Sequence, residues 1–179
     1  MVAYAFRAPG ATAAETLSWC AGDHDAAADA VDRALTLNPN SVHAWRTKGY
    51  VLLRQRRHEP ALDAFHRALR LSPLGPLGFL TTAGIAFADL VAGQYAAAIE
   101  WADRSAREFP RGRAAIRYKL IALAHLGRIE EAQAALEREL EMQPGLTIAA
   151  VKATYAAALA PELLAVFVDG YRKAGLPEE

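Results

Sequence analysis

The sequence predicts an all-α fold, a right-handed α-solenoid of about four helix pairs closed by a C-terminal capping pair, and three observations point to it. Alanine, the best helix former, is abundant through the 179 residues, in runs such as Ala26-Ala27-Ala28 and Ala156-Ala157-Ala158. Prolines recur at a fixed interval: Pro39 to Pro73 is 73 − 39 = 34 residues, and Pro110 to Pro144 is 144 − 110 = 34. The stretches around the first two prolines also read alike, LTLNPN at 35–40 and LRLSPL at 69–74, entered through Arg33-Ala34-Leu35 and Arg67-Ala68-Leu69. Self-similarity at such a period marks supersecondary units that stack on their neighbours.

The clearest unit is 42–75. Trp45, Gly49, Leu52, Ala61, Phe65, Ala68 and Pro73 fall at fixed offsets along it. Gly49 and Ala61 suit the crossing of its two helices, where a larger side chain would push the axes apart. Trp45 and Phe65 fill space between units, and Ala68 lets the next helix approach. Pro73 lacks an N–H and disfavours helix in the residue before it, so it ends one unit and opens the next. This pattern resembles the tetratricopeptide repeat, a helix–turn–helix unit of about 34 residues. It departs where Lys48 replaces a leucine and Leu52 a tyrosine.

The remaining units follow in register. A first, at about 8–41, keeps Ala27, Val31, Ala34 and Pro39, with a degenerate first helix near 12–21. The interval from Pro73 to Pro110 is 37, which places an insertion near Gly75-Pro76-Leu77-Gly78. The third unit, 79–112, keeps Ala98, Ala102 and Pro110, with Gln94-Tyr95 in its turn. The fourth, 113–146, keeps Leu123, Ala132, Leu136 and Pro144. Asn40-Ser41 suits a helix N-terminus, and Gly93 and Gly127 suit helix ends. Beyond Pro144 a helix over 147–159 and another from Pro161 to about Ala174 form the cap, 147–179, of one domain spanning 1–179.

Composition excludes several function classes. Lys plus Arg and Asp plus Glu number 20 each, so the basic excess of a nucleic-acid binder is missing. The charge is uneven, however. Residues 41–73 carry seven cations against Glu59 and Asp63, whereas 1–40 lean acidic through Glu15, Asp23, Asp25, Asp29 and Asp32. The single cysteine, Cys20, permits no internal disulfide, and Arg7, Pro9 and Gly10 interrupt any signal-peptide core, so a cytoplasmic setting is expected. Residues 74–93 are nearly uncharged, but Asp89, Thr81, Thr82 and the repeat register make them a buried solenoid helix and not a membrane span.

No catalytic motif is present: no G-x-S-x-G, phosphate-binding loop or dinucleotide fingerprint. His24, His43, His58, His66 and His125 show no ligand spacing, so neither a metal nor a cofactor is expected, and the chain reads as non-enzymatic. Glu130-Glu131 and the series Glu137, Glu139, Glu141 read as solvated helix faces.

The resemblance to the tetratricopeptide repeat implies that the first helix of each pair, helix A, lines a groove that holds a protein or peptide partner. The register places His43, Arg46, Tyr50 and Arg54 there from the second unit, Phe87 from the third, Arg117, Tyr118 and His125 from the fourth, and Lys152 from the cap. Arginines and aromatics together fit an extended acidic peptide or a C-terminal carboxylate. Chaperone-type carboxylate clamps use groove asparagines, and no helix A here has one. The stretches 32–53, 65–108 and 169–179 are also similar to the C-terminal repeat region of bacterial proteins carrying a class III adenylate or guanylate cyclase domain or a winged-helix regulator domain. That resemblance implies the alternative reading, a cis-acting regulatory or homo-oligomerisation module. Its homodimer would use the apolar stripe of Leu163, Leu164, Phe167 and Tyr171, or else the stripe packs on the fourth unit.

Overall fold

A computed structural model describes residues 24–179, and among these the chain forms nine helices and no strand. It divides into two compact units, Met1–Gly75 and Pro76–Glu179. The first holds α1 (His24–Leu37), α2 (Val42–Arg54) and α3 (His58–Leu71). The second holds α4 (Gly78–Val91), α5 (Tyr95–Glu108), α6 (Arg113–His125), α7 (Ile129–Met142), α8 (Ile148–Tyr155) and α9 (Pro161–Lys173). Within each unit most helices next to one another in sequence pack together, α1 on α2, α2 on α3, α4 on α5, α5 on α6, α6 on α7 and α8 on α9. The expected helix at 12–21 and Cys20 lie outside the described residues.

Local chemistry explains the boundaries. The turns inside the pairs α2–α3, α4–α5 and α6–α7 use one device. Arg56, Gly93 and Gly127 all sit in the left-handed region, at φ of 61°, 75° and 75°. The following amides bond back to the helix, Arg57 N to Leu52 O at 2.9 Å, Gln94 N to Asp89 O at 2.8 Å and Arg128 N to Leu123 O at 3.0 Å. These bonds satisfy carbonyls that the helix end would leave unpaired. Between pairs, Ser41 caps α2 by accepting from Ala44 N at 3.2 Å, and Thr147 caps α8 through Ala150 N at 3.2 Å.

Packing follows the small-residue positions. A Cβ added at Gly49 would lie 2.6 Å from the Phe65 ring, so α2 and α3 cross at the distance a glycine allows. In the first unit Ala27, Ala30, Val31, Ala34, Ala44 and Val51 form one core cluster. In the second, every residue from Thr81 to Leu90 is buried, as an apolar helix without a polar face requires. That helix is 14 residues long, and no helix among the described residues is long and apolar enough to cross a membrane.

The C-terminal pair departs from the expected outline. The helix predicted over 147–159 stops at Tyr155, where Ala158 N and Leu159 N both bond to the Tyr155 carbonyl. The chain then turns into Pro161, which opens α9. α9 packs against α6 as well as α8. Past its end the chain returns to α8: Ile148 N donates to Pro177 O at 2.9 Å and Ala149 N to Glu178 O at 3.1 Å. Those carbonyls occupy amides at the start of α8 that have no partner within the helix.

Candidate functional site

The helix-A face of the second unit is built from α4 and α6, and α9 lies on it. Phe87 of α4 stacks on Tyr118 of α6, with ring centroids 5.0 Å apart and planes 13° from parallel. Phe167 of α9 meets Phe87 edge-on at 5.9 Å and Tyr118 at 6.3 Å, and Tyr155 of α8 adds a fourth ring 5.7 Å from Phe167. Edge-to-face contacts of this kind add to the gain from burial itself. Beside the rings the backbones come close: a Cβ on Gly170 would stand 2.7 Å from Ile121 Cγ2 and 3.1 Å from its Cα. Only glycine lets α9 approach α6 so closely.

A polar cluster locks the far end of the same face. Glu139 of α7 is fully buried, and Arg117 of α6 meets it through Nη2 at 2.8 Å and Nε at 3.1 Å. The Tyr171 hydroxyl, from α9, donates to the other Glu139 oxygen at 2.8 Å and accepts from Arg117 Nε at 2.8 Å. Arg117 Nη1 also donates to the Tyr155 hydroxyl, and its guanidinium lies 5.2 Å from the Tyr155 ring centroid. Burial raises the Tyr171 hydroxyl well above the ordinary tyrosine range, so it stays protonated and able to donate. For Arg117 burial opposes the charge, but Tyr171 and Glu139 outweigh it and hold the guanidinium charged. Removing one member of a buried pair costs about 3–5 kcal/mol, because the other charge is left uncompensated.

At the third contact, His125 Nε2 donates to the Val166 carbonyl of α9 at 3.0 Å, and its ring stacks on Tyr95 at 5.0 Å. Thus Phe87, Arg117, Tyr118 and His125, expected in the partner groove, are brought together, and the chain's own last helix covers them. Phe167 and Tyr171, named as self-association residues, are buried in this contact and Leu163 is half-buried. Lys152 is exposed on α8, apart from the cluster.

In the first unit His43, Arg46, Tyr50 and Arg54 fall along one stripe of α2. Arg46 and His43 Nδ1 are 2.7 Å apart, and Arg54 Nη1 donates to the Tyr50 carbonyl at 3.1 Å. The Tyr50 ring packs edge-on against Phe65 at 5.0 Å. Both arginines are buried, at 5% and 8% exposure, and His43 and Tyr50 are half-buried. Among the described residues, no group of histidine, cysteine, aspartate or glutamate is placed to hold a metal ion.

The reading of Glu139 as a solvated charge is overturned. A signal was available in the repeat column formed by residues 34, 68, 105 and 139. These are Ala34, Ala68, Ser105 and Glu139, all buried. A glutamate in a column of small residues has to find an internal cation, and Arg117 on the same unit's helix A is within its reach.

Comparison with known proteins follows the same architecture. The tetratricopeptide-repeat profile matches residues 19–76 and 85–147. The peroxisomal targeting signal receptor of Saccharomyces cerevisiae (strain ATCC 204508 / S288c) is 41% identical over 51 residues, 28% of this chain, and the match spans 8% of that receptor's length. The type IV pilus biogenesis factor PilW superposes with a TM-score of 0.71 at 18% identity, covering 92% of this chain and 73% of PilW. MamA superposes at 0.63 with 20% identity and 94% of each chain. YrrB, a tetratricopeptide-repeat protein with an unusual peptide-binding site, superposes at 0.58 with 20% identity, covering 93% of this chain and 83% of YrrB. At these identities the structural likeness is one of fold.

Proposed function

The chain belongs to the tetratricopeptide-repeat family, and from that premise we propose that it is a non-catalytic protein-binding module whose helix-A face holds an amphipathic segment. One observation carries the reading: in the second unit that face already holds such a segment, α9. An aromatic anchor (Phe167), a close backbone approach (Gly170) and a hydroxyl directed at a buried ion pair (Tyr171) together describe what it accepts. Recognition of an amphipathic helix by side chains spaced three and four apart has this form. That YrrB has a peptide-binding site, and that the yeast relative is a targeting-signal receptor, agree with a peptide guest. On this proposal α9 is the occupant in the absence of a partner, and a partner segment competes for its seat. The stripe on α2 is the corresponding element of the first unit.

The test is to select peptides from a display library against the full chain and titrate the best against parent and Phe167→Ala. Removing the anchor ring weakens α9's hold, so the variant should bind about tenfold tighter, the size of effect that follows when an internal competitor loses about 1.4 kcal/mol. Equal affinity for parent and variant places the guest elsewhere. Failure to select any peptide sinks the proposal. Under the alternative, a cis-acting regulatory or homo-oligomerisation domain of a signalling protein such as a cyclase, α9 would seat on a second copy. Sedimentation would then show dimers that Phe167→Ala abolishes.

A further inference from the structure

We propose that the groove between α1, α2 and α3 is a second docking site, and that its guest is an acidic segment of a partner protein. This groove lies on the side of α2 away from the His43–Arg46–Tyr50–Arg54 stripe, so it is independent of the helix-A face and of α9. Its volume is about 580 Å³. Pockets that enclose a small ligand or a few side chains run from roughly 300 to 1,000 Å³. Val31, Leu52 and Ala64 contribute apolar surface to its lining.

Cations dominate the charged lining. Asp32 is engaged by Lys48 at 2.7 Å, and Lys48 also lies 5.6 Å from the centre of the Trp45 ring. Trp45 is itself fixed by donating from Nε1 to the Pro39 carbonyl at 2.8 Å. Arg57, Arg67 and Arg70 also line the groove, and none of them forms an ion pair among the described residues. Asp63 is the one further carboxylate in the lining. Three guanidiniums at the edge of an apolar floor suit carboxylates presented on a short chain, since arginine pairs bidentately with carboxylate.

The second unit supplies an internal comparison. Its groove between α5, α6 and α7 repeats the first at a spacing of 71 residues. Asp103 follows Asp32 (103 − 32 = 71), Lys119 follows Lys48 (119 − 48 = 71), and Arg138 follows Arg67 (138 − 67 = 71). The ion pair recurs as well, Lys119 to Asp103 at 2.6 Å. The other two positions differ. The counterpart of Arg70 is Glu141, and that of Arg57 is Arg128, which is held by Glu131 at 2.7 Å. The second groove is also smaller, about 210 Å³. The Asp–Lys pair and one arginine without an ion pair among the described residues (Arg67 or Arg138) are thus shared, whereas the larger open volume and the two further unpaired arginines, Arg57 and Arg70, belong to the first groove. A nucleic acid fits less well than a peptide, because Asp63 faces the guest and the chain as a whole has no net positive charge.

The probe is a fluorescein-labelled glutamate-rich peptide carrying leucines, titrated by anisotropy against the full chain. The variants are Arg67→Glu/Arg70→Glu in the first groove and Arg138→Glu in the second, with oligothymidine as a parallel ligand. All three arginines are exposed, and circular dichroism confirms that each variant folds. The expected result is binding by the parent that weakens at least about tenfold in Arg67→Glu/Arg70→Glu, is unchanged in Arg138→Glu, and declines with added salt. No binding by the parent, equal loss in both variants, or tighter binding of oligothymidine through the same arginines overturns the proposal.

Discussion

Arg56 stands at φ 61°, in a position where the two following pairs place Gly93 and Gly127. The left-handed region costs a residue with a Cβ about 1–2 kcal/mol, while glycine loses roughly 0.5–1 kcal/mol more backbone entropy on folding. The balance favours Arg56→Gly by about 0.5–1 kcal/mol, to be read as a higher midpoint in urea with an unchanged slope. Asp89 poses the opposite kind of problem. Burial raises its carboxyl from 3.8 to about 6. Between those values the folded chain binds more protons than the unfolded one, so this group's contribution to stability declines as pH rises through that window and is level above it. Asp89→Asn keeps the shape and removes the charge. Its melting temperature should exceed the parent's near pH 7, with the difference vanishing toward about pH 4. A variant-minus-parent difference that does not grow as pH rises across this window would contradict the assignment.

α9 shows how a helix is placed by a single absent side chain. Its apolar positions were legible, since Phe167 and Tyr171 stand four apart and must share a face. Two readings of that stripe were open, packing on the fourth unit or self-association. The packing of the stripe on the fourth unit rests on Gly170 against Ile121 and the hydroxyl of Tyr171 on Glu139, contacts between residues 49 and 32 positions apart. Gly170→Ala puts a methyl 2.7 Å from Ile121 Cγ2, so α9 must shift outward or strain. The expected loss is about 1–3 kcal/mol in chemical denaturation, together with faster amide exchange confined to α9 and the start of α8. Exchange that stays slow throughout α9 would show that the helix is not held by this contact. Across the chain, small residues recurring in register marked where helices cross, whereas the identity of what crosses them was not written locally.

At the level of the entire chain, charges balance at 20 and 20, and the isoelectric point lies near 7.0. Solubility should therefore be lowest near neutral pH and rise as net charge departs from zero on either side, which precipitation by polyethylene glycol across about pH 5 to 9 would measure. A minimum well away from neutrality would mean that local patches, such as the arginines of the first groove, govern association. The sequence alone determined the helical class, because proline, glycine and alanine act on the backbone where they stand and their spacing is visible in one dimension. Only the tertiary structure decided that α9 covers Phe87, Arg117, Tyr118 and His125, and that Tyr171 joins the buried pair of Glu139 and Arg117. Those outcomes depend on close approach between residues distant in sequence, where a glycine admits a helix or an arginine reaches a carboxylate, and no local pattern encodes such distances.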